Sequence, residues 1–133
     1  MNDKATAVRF YSRSGNTEAL AKAIAAAAGT EAVSADGNDA AIDAPVDVLF
    51  IGGALYAYGL DAHLKDYLKT LKKENVKKAV VFSTSWLSKH AVDLIKKALA
   101  EAGIPTADEY FYVKNRPDEA QLREAAAFTK KFL

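Results

Sequence analysis

Ser12, Ser14, Gly15, Asn16 and Thr17, with Arg13 among them, crowd into the run "YSRSGNTEALAKAI", where a short apolar segment gives way to an alanine-rich helical one. Those residue types share one chemistry. The first turn of a helix presents N–H groups with no internal partner and about half a positive charge from the aligned peptide dipoles. A glycine lets the backbone turn successive N–H groups toward one point, and hydroxyl and amide side chains add donors. The ligand that suits such a nest is a phosphate dianion. A richly furnished helix cap is the plainer account, because Ser, Thr and Asn favour that position, but one cap does not use five such residues.

Two further stretches hold aromatic residues among small ones. Gly52, Gly53, Ala54, Leu55, Tyr56, Ala57, Tyr58 and Gly59 form the first, and Ser83, Thr84, Ser85, Trp86 and Leu87 the second. A flat ring system bound beyond a phosphate needs aromatic or apolar faces and a few backbone or hydroxyl groups at its polar edge. Tyr56 or Tyr58 on one face and Trp86 on the other would supply them. The alternative is that the three rings only close the edge of a sheet.

Composition removes most other chemistries. The chain has 133 residues, no cysteine and two histidines, so disulfides, thiolate metal sites, iron–sulfur clusters and thiol nucleophiles are excluded, and no metal centre is expected. Lys and Arg number 18 against 17 Asp and Glu, a balance that argues against nucleic acid. No window reaches the length of a membrane span, and a cytoplasmic monomer is expected. No lysine follows Gly15, which rules out the P-loop of nucleotide kinases, and the dinucleotide pattern G-x-G-x-x-G is missing. No carboxylate pair stands out as an acid–base dyad, so no catalytic residue is assigned. His63 reads as a surface residue, the lysine pairs at 72–73, 77–78, 96–97 and 130–131 as solvated faces, and Arg9 as an edge residue or the partner of an acid.

The elements that must hold these loops alternate in period. Strand patterns run over Ala5–Tyr11, Val46–Ile51, Val76–Phe82 and Tyr110–Val113, with a weaker one at Thr30–Val33. Helical spacing joins Leu20, Ala23, Ile24 and Ala27, stopped by Gly29; then Leu60, Leu64, Tyr67, Leu68 and Leu71; then Ala91, Ile95, Ala98, Leu99 and Ala102, closed by Gly103 and Pro105. Pro117, Asp118 and Glu119 open a last helix carrying Leu122, Ala125, Ala126, Thr129 and Phe132. Strands alternating with helices predict one domain over residues 1–133, a doubly wound α/β sheet of five parallel strands with helices on both faces. Ligands of such sheets bind beyond the carboxyl ends of the strands, which is where the three loops fall.

Ser12-Arg13-Ser14-Gly15-Asn16-Thr17 resembles the flavodoxin phosphate loop, S/T-x-S/T-G-N-T, and follows the first strand as it does there. "VDVLFIGGALYAYGLDAHLKDYL" resembles the third strand, flavin loop and next helix of that family, and "RPDEAQLREAAAFTKKF" its closing helix. The resemblance implies strand order 2-1-3-4-5 and one non-covalent FMN held by residues 12–17, by Ala54–Gly59 and by Ser83–Trp86. It implies electron transfer, one or two electrons at a time, with a reductase or oxidase protein as partner. It also implies a peptide in the second loop that turns its carbonyl toward the flavin on one-electron reduction, with Tyr58–Gly59 the candidate. The near-neutral charge differs from the acidic character typical of the family, and predicts a less negative potential for the second reduction step. An FMN-dependent reductase with its own small-molecule or quinone substrate is the alternative, and a flavin-free binding module of the same fold a further one. A phospho-receiver domain is excluded, because Tyr11-Ser12-Arg13 stands where its acidic cluster belongs.

Overall fold

In a computed structural model of the chain, which describes residues 5–56, 59–85 and 89–133, the strand runs become β1 (Thr6–Phe10), β2 (Ala32–Ser34), β3 (Val48–Gly53), β4 (Leu55–Tyr56), β5 (Gly59–Leu60), β6 (Ala79–Thr84) and β7 (Thr106–Val113). The helices are α1 (Asn16–Ala28), α2 (Ala62–Thr70), α3 (His90–Glu101) and α4 (Glu119–Lys130). β4 and β5 form a small antiparallel pair in which Tyr56 faces Gly59. The other five strands make a parallel sheet in the order β2-β1-β3-β6-β7, the expected topology.

Successive side chains of a strand point to opposite faces, and here both faces are covered. Val48 and Phe50 join Val8, Phe10, Val80 and Phe82 against α1 and α4, with Leu20, Ile24, Ala125 and Phe128 in that layer. Leu49 and Ile51 join Ala7 and Val81 against α2 and α3, with Leu64, Leu68, Ile95 and Leu99. Burial on both sides is why the central strands read as unbroken apolar runs.

Strand boundaries differ from expectation for local reasons. Val46 and Val76 pair only with each other, in an isolated bridge ahead of β3 and β6. β6 runs on through Ser83 and Thr84, whose hydroxyls find partners inside the fold. Thr30 closes α1 instead of opening β2: its N–H donates to the Ala25 carbonyl at 3.0 Å, behind a left-handed Gly29, an ending typical of helices. β7 begins at Thr106, because an edge strand accommodates the exposed Asp108 and Glu109. In α1 the buried residues are Thr17, Leu20, Ala21, Ile24, Ala25 and Ala28; Ala23 and Ala27 are half-buried, since a helix alanine-rich all round leaves its period ambiguous. Leu60 and Leu71 are buried but flank α2 as β5 and C-cap residues.

Arg9 corrects a reading. β1 is a central strand, not a solvated edge, and the recorded partners of Arg9 are carbonyls rather than an acid. Its Nε donates to the Ala40 carbonyl at 2.7 Å, and the Tyr67 hydroxyl donates to the same oxygen at 2.6 Å. No helix or strand spans residues 35–47. Arg9 and Tyr67 instead pin that crossover onto the sheet. Among the described residues no helix is long and apolar enough to cross a membrane.

Candidate functional site

The loop after β1 is built to leave the start of α1 open. Gly15 is its N-cap, with φ of +91°, in the left-handed region that glycine adopts without strain. No side chain caps the helix. The hydroxyls and amide that crowd this loop are employed elsewhere. Ser12 Oγ accepts from the Gly15 N–H at 3.0 Å and tightens the turn. Thr17 Oγ1 meets Thr84 Oγ1 at 2.6 Å in a buried contact that ties α1 to the end of β6. Asn16 Nδ2 donates to Asn115 Oδ1 at 3.4 Å and the Asn16 N–H donates to Ser14 Oγ at 3.5 Å, both long bonds. Among the described residues, a β-carbon added at Gly15 would meet no atom within 4 Å.

The second loop is bound to the first. At its root, Gly52 is required by contact, since a β-carbon there would sit 2.3 Å from the Phe82 ring. The Tyr56 hydroxyl accepts the Arg13 backbone N–H at 3.0 Å, and the Arg13 guanidinium lies 4.0 Å from the Tyr56 ring centre. One face of that ring is therefore taken, and a ligand has only the other. Arg13 also donates from Nε and Nη2 to Asp61 Oδ2, at 2.8 and 2.5 Å. Asp61 caps α2 by accepting the His63 N–H at 2.8 Å, and its Oδ1 lies 2.8 Å from His63 Nδ1. The imidazole stacks on Tyr11, with centroids 4.9 Å apart and planes at 12°.

Asp61 is the electrostatic centre of this cluster, with 6% of its side chain exposed. Burial alone would raise its pKa, but the His63 N–H and the Arg13 guanidinium outweigh burial and bring the carboxyl down to about 2. Burial likewise holds the Tyr56 phenol above its ordinary value, only partly offset by Arg13.

In the third loop, Ser83 Oγ donates to the Gly53 carbonyl at 2.7 Å, so Ser83 and Thr84 both serve to join strands and helix at the sheet's carboxyl edge. Ser85 differs. It is 95% buried, and its Oγ has no hydrogen-bond partner among the described residues, although its N–H and carbonyl are paired with Val113 and Tyr112. An orphaned buried hydroxyl costs about 1–3 kcal/mol, a cost removed by a ligand that bonds to it. Ala54 and Leu55 lead into the β4–β5 pair. Ala57, Tyr58 and Trp86, and with Tyr58 the peptide expected to turn, lie outside the described residues.

The structure thus gathers Ser12–Thr17, Tyr56 and Ser83–Ser85 at one edge. It adds residues the sequence reading did not assign to the site: Tyr11, Asp61, His63 and Asn115. Asp61 had a legible signal, an aspartate directly before a helical run. Asn115, with φ of +71°, had none, since its role depends on a residue 99 positions away.

Comparisons with known proteins agree with this fold. The family described as "Flavodoxin domain" matches residues 7–129. Among solved structures, flavodoxin 1 of Bacillus cereus is 23% identical at a TM-score of 0.76, with 96% of this chain and 95% of that one covered. A flavodoxin from the domain Archaea is 22% identical, with a TM-score of 0.81 and coverage of 96% and 94%. The two-electron-reduced flavodoxin of Megasphaera elsdenii is 28% identical, with a TM-score of 0.69 and coverage of 92% and 98%. No curated protein matches.

Proposed function

Because the chain belongs to the flavodoxin domain family, whose cofactor is FMN, we propose that it is an electron carrier, seating one FMN at the carboxyl edge of the sheet and exchanging electrons with a redox partner protein. Bound there, FMN supplies a centre that takes up and releases one or two electrons; the M. elsdenii relative was solved in its two-electron-reduced form. The protein's share is to seat and shield. The N–H groups at the start of α1 and the Ser14 hydroxyl hold the phosphate dianion. The free face of Tyr56 and the backbone of Ala54–Gly59 bound one side of the ring. Ser85 offers a hydroxyl at the third loop, and Trp86 keeps the second ring face.

The observation that carries this reading is that α1, behind a left-handed Gly15, has no side-chain cap on its N-terminus. Titrating the apo-protein with FMN and with riboflavin, followed by quenching of flavin fluorescence, tests it. Loss of two or more charge-assisted hydrogen bonds should separate the ligands by about 3 kcal/mol, on the order of 100-fold in affinity. Equal, weak binding of both overturns the reading.

One observation favours the reductase alternative. His63 is 58% exposed, yet its ring is held in one orientation by Asp61 at Nδ1 and by the stack on Tyr11, which leaves a fixed, accessible imidazole at the edge of the site. Direct turnover of NAD(P)H with a quinone, lost in His63→Gln, selects that reading over a pure carrier.

A further inference from the structure

Between α2 and α3, apart from the proposed flavin site, runs a groove of about 420 Å³. Its floor is apolar, made by Leu60, Leu68, Leu94, Ala98 and Ala102, and Leu94, Ala98 and Ala102 are only half-buried. Its rim carries the exposed Lys65, Lys69 and Lys97 against the single carboxylate of Glu101. Among the described residues none of the three lysines takes part in an ion pair. An apolar trough between unpaired ammonium groups has the shape and charge of a receptor for an amphipathic helix. From Leu94 to Glu101 the trough wall runs about 10 Å, two turns of a docked helix.

The groove is also continuous with the second loop. Leu60, which lines the groove, directly follows Gly59 in β5, and Lys65 Nζ lies 3.8 Å from where a β-carbon on Gly59 would stand. We infer that this groove docks an acidic protein partner through a helix whose apolar ridge is flanked by Asp and Glu. The apolar ridge fills the floor, and the flanking carboxylates pair with Lys65, Lys69 and Lys97, which fixes the register of the complex beside the proposed flavin loop. A second copy of this chain is a poorer occupant: the exposed face of α4 mixes Glu119 and Glu124 with Arg123 and Lys130, and offers no row of carboxylates. Taking the docked protein as the redox partner rests on the carrier reading above; the groove's own preference for acidic helices does not.

Two synthetic helical peptides test it on the full chain, with and without FMN. Both carry leucines at i, i+4 and i+7; one flanks them with glutamates and the other with lysines. In amide chemical-shift titrations the glutamate peptide should move Leu60, Lys65, Lys69, Leu94, Lys97 and Ala98, bind at least tenfold tighter than the lysine peptide, and weaken with salt. Lys65→Glu/Lys69→Glu/Lys97→Glu, shown to fold by an unchanged circular dichroism spectrum, should reverse the preference, and Leu94→Ser should weaken both peptides. Equal binding of the two peptides, no binding at millimolar concentration, or shifts spread away from α2 and α3 overturns the inference. Because FMN affinity is read separately, failure of the groove leaves the flavin reading standing, and the converse.

Discussion

Two helices of this protein start at the same edge of the sheet, and their first turns are finished in opposite ways. At α4, Asp118 Oδ1 accepts the Gln121 N–H at 2.8 Å, while Gln121 Oε1 accepts the Asp118 N–H at 3.0 Å, a reciprocal capping box. At α1, where the local sequence is far richer in capping residues, no side chain caps at all. The hydroxyls there bond the turn behind the cap and a neighbouring strand instead. Abundance of capping residues therefore does not predict capping. What separates the two ends is the N-cap itself. A left-handed Gly15 has no side chain to fold back, whereas an extended Asp118 does. One helix end is closed by its own side chains, and the other is left without a side-chain cap.

The sharpest way to break this contrast is at Gly15. Gly15→Val places a branched side chain in the left-handed region at the N-cap of α1. FMN affinity should fall about 100-fold, near 3 kcal/mol, while the weaker affinity for riboflavin hardly changes. An equal loss for both ligands would show that the substitution deformed the whole site, not the phosphate seat. Asp61→Asn comes next. Asparagine still caps α2, but the charged bonds to Arg13 and His63 go, and at pH 7 stability should fall by about 2 kcal/mol in denaturant melts. The sign of its pH dependence follows from the lowered pKa. Asp61 titrates near 2 in the folded protein and near 3.8 in a free chain, so its contribution is complete above that higher value and is lost as pH falls toward 2. The gap between wild type and variant should close over that window. A constant gap would mean that the charge on Asp61 contributes nothing.

These two sites also mark how far the sequence could be read. The loop ahead of α1 was legible as a candidate site because its residues are consecutive and its place, after a strand and before a helix, follows from periodicity alone. The sheet order was legible for the same reason. The Arg13–Asp61–His63–Tyr11 cluster was not, because Arg13 and Asp61 are 48 positions apart, and only the β1–β3 pairing brings them together. Arg9 misled for a related reason: a charged residue in a central strand suggests an acid, and the groups that satisfy it are carbonyls of a neighbouring residue and a distant crossover. Periodicity reports which face a residue lies on. It does not report which acceptor waits there.

Thr17→Val probes the interior side of the nest. It leaves the Thr84 hydroxyl buried without its recorded partner, and stability should fall by about 1.5 kcal/mol. Adding Thr84→Val should recover most of that loss, because two apolar groups of similar shape leave nothing unpaired. A double variant no better than the single one would show that the hydroxyl pair is not an isolated unit.

The smallest effect belongs to the helix that needs no ligand. Asp118→Ala removes one half of the α4 box and should cost about 1 kcal/mol, a fall of a few degrees in Tm for a domain of this size. Its FMN affinity should be that of the wild type, since the donors it releases lie at α4 and the phosphate is assigned to α1. The informative comparison is with added inorganic phosphate. If an open helix start is by itself enough to attract the anion, phosphate should raise the Tm of Asp118→Ala more than that of the wild type and narrow the deficit between them. If the loop geometry around Gly15 matters, phosphate should stabilise both proteins equally, through α1 alone, and the deficit of Asp118→Ala should stay constant. The second outcome is expected, because an exposed helix end is solvated by water at little cost, whereas the nest at α1 has its turn already set by the Ser12–Gly15 bond.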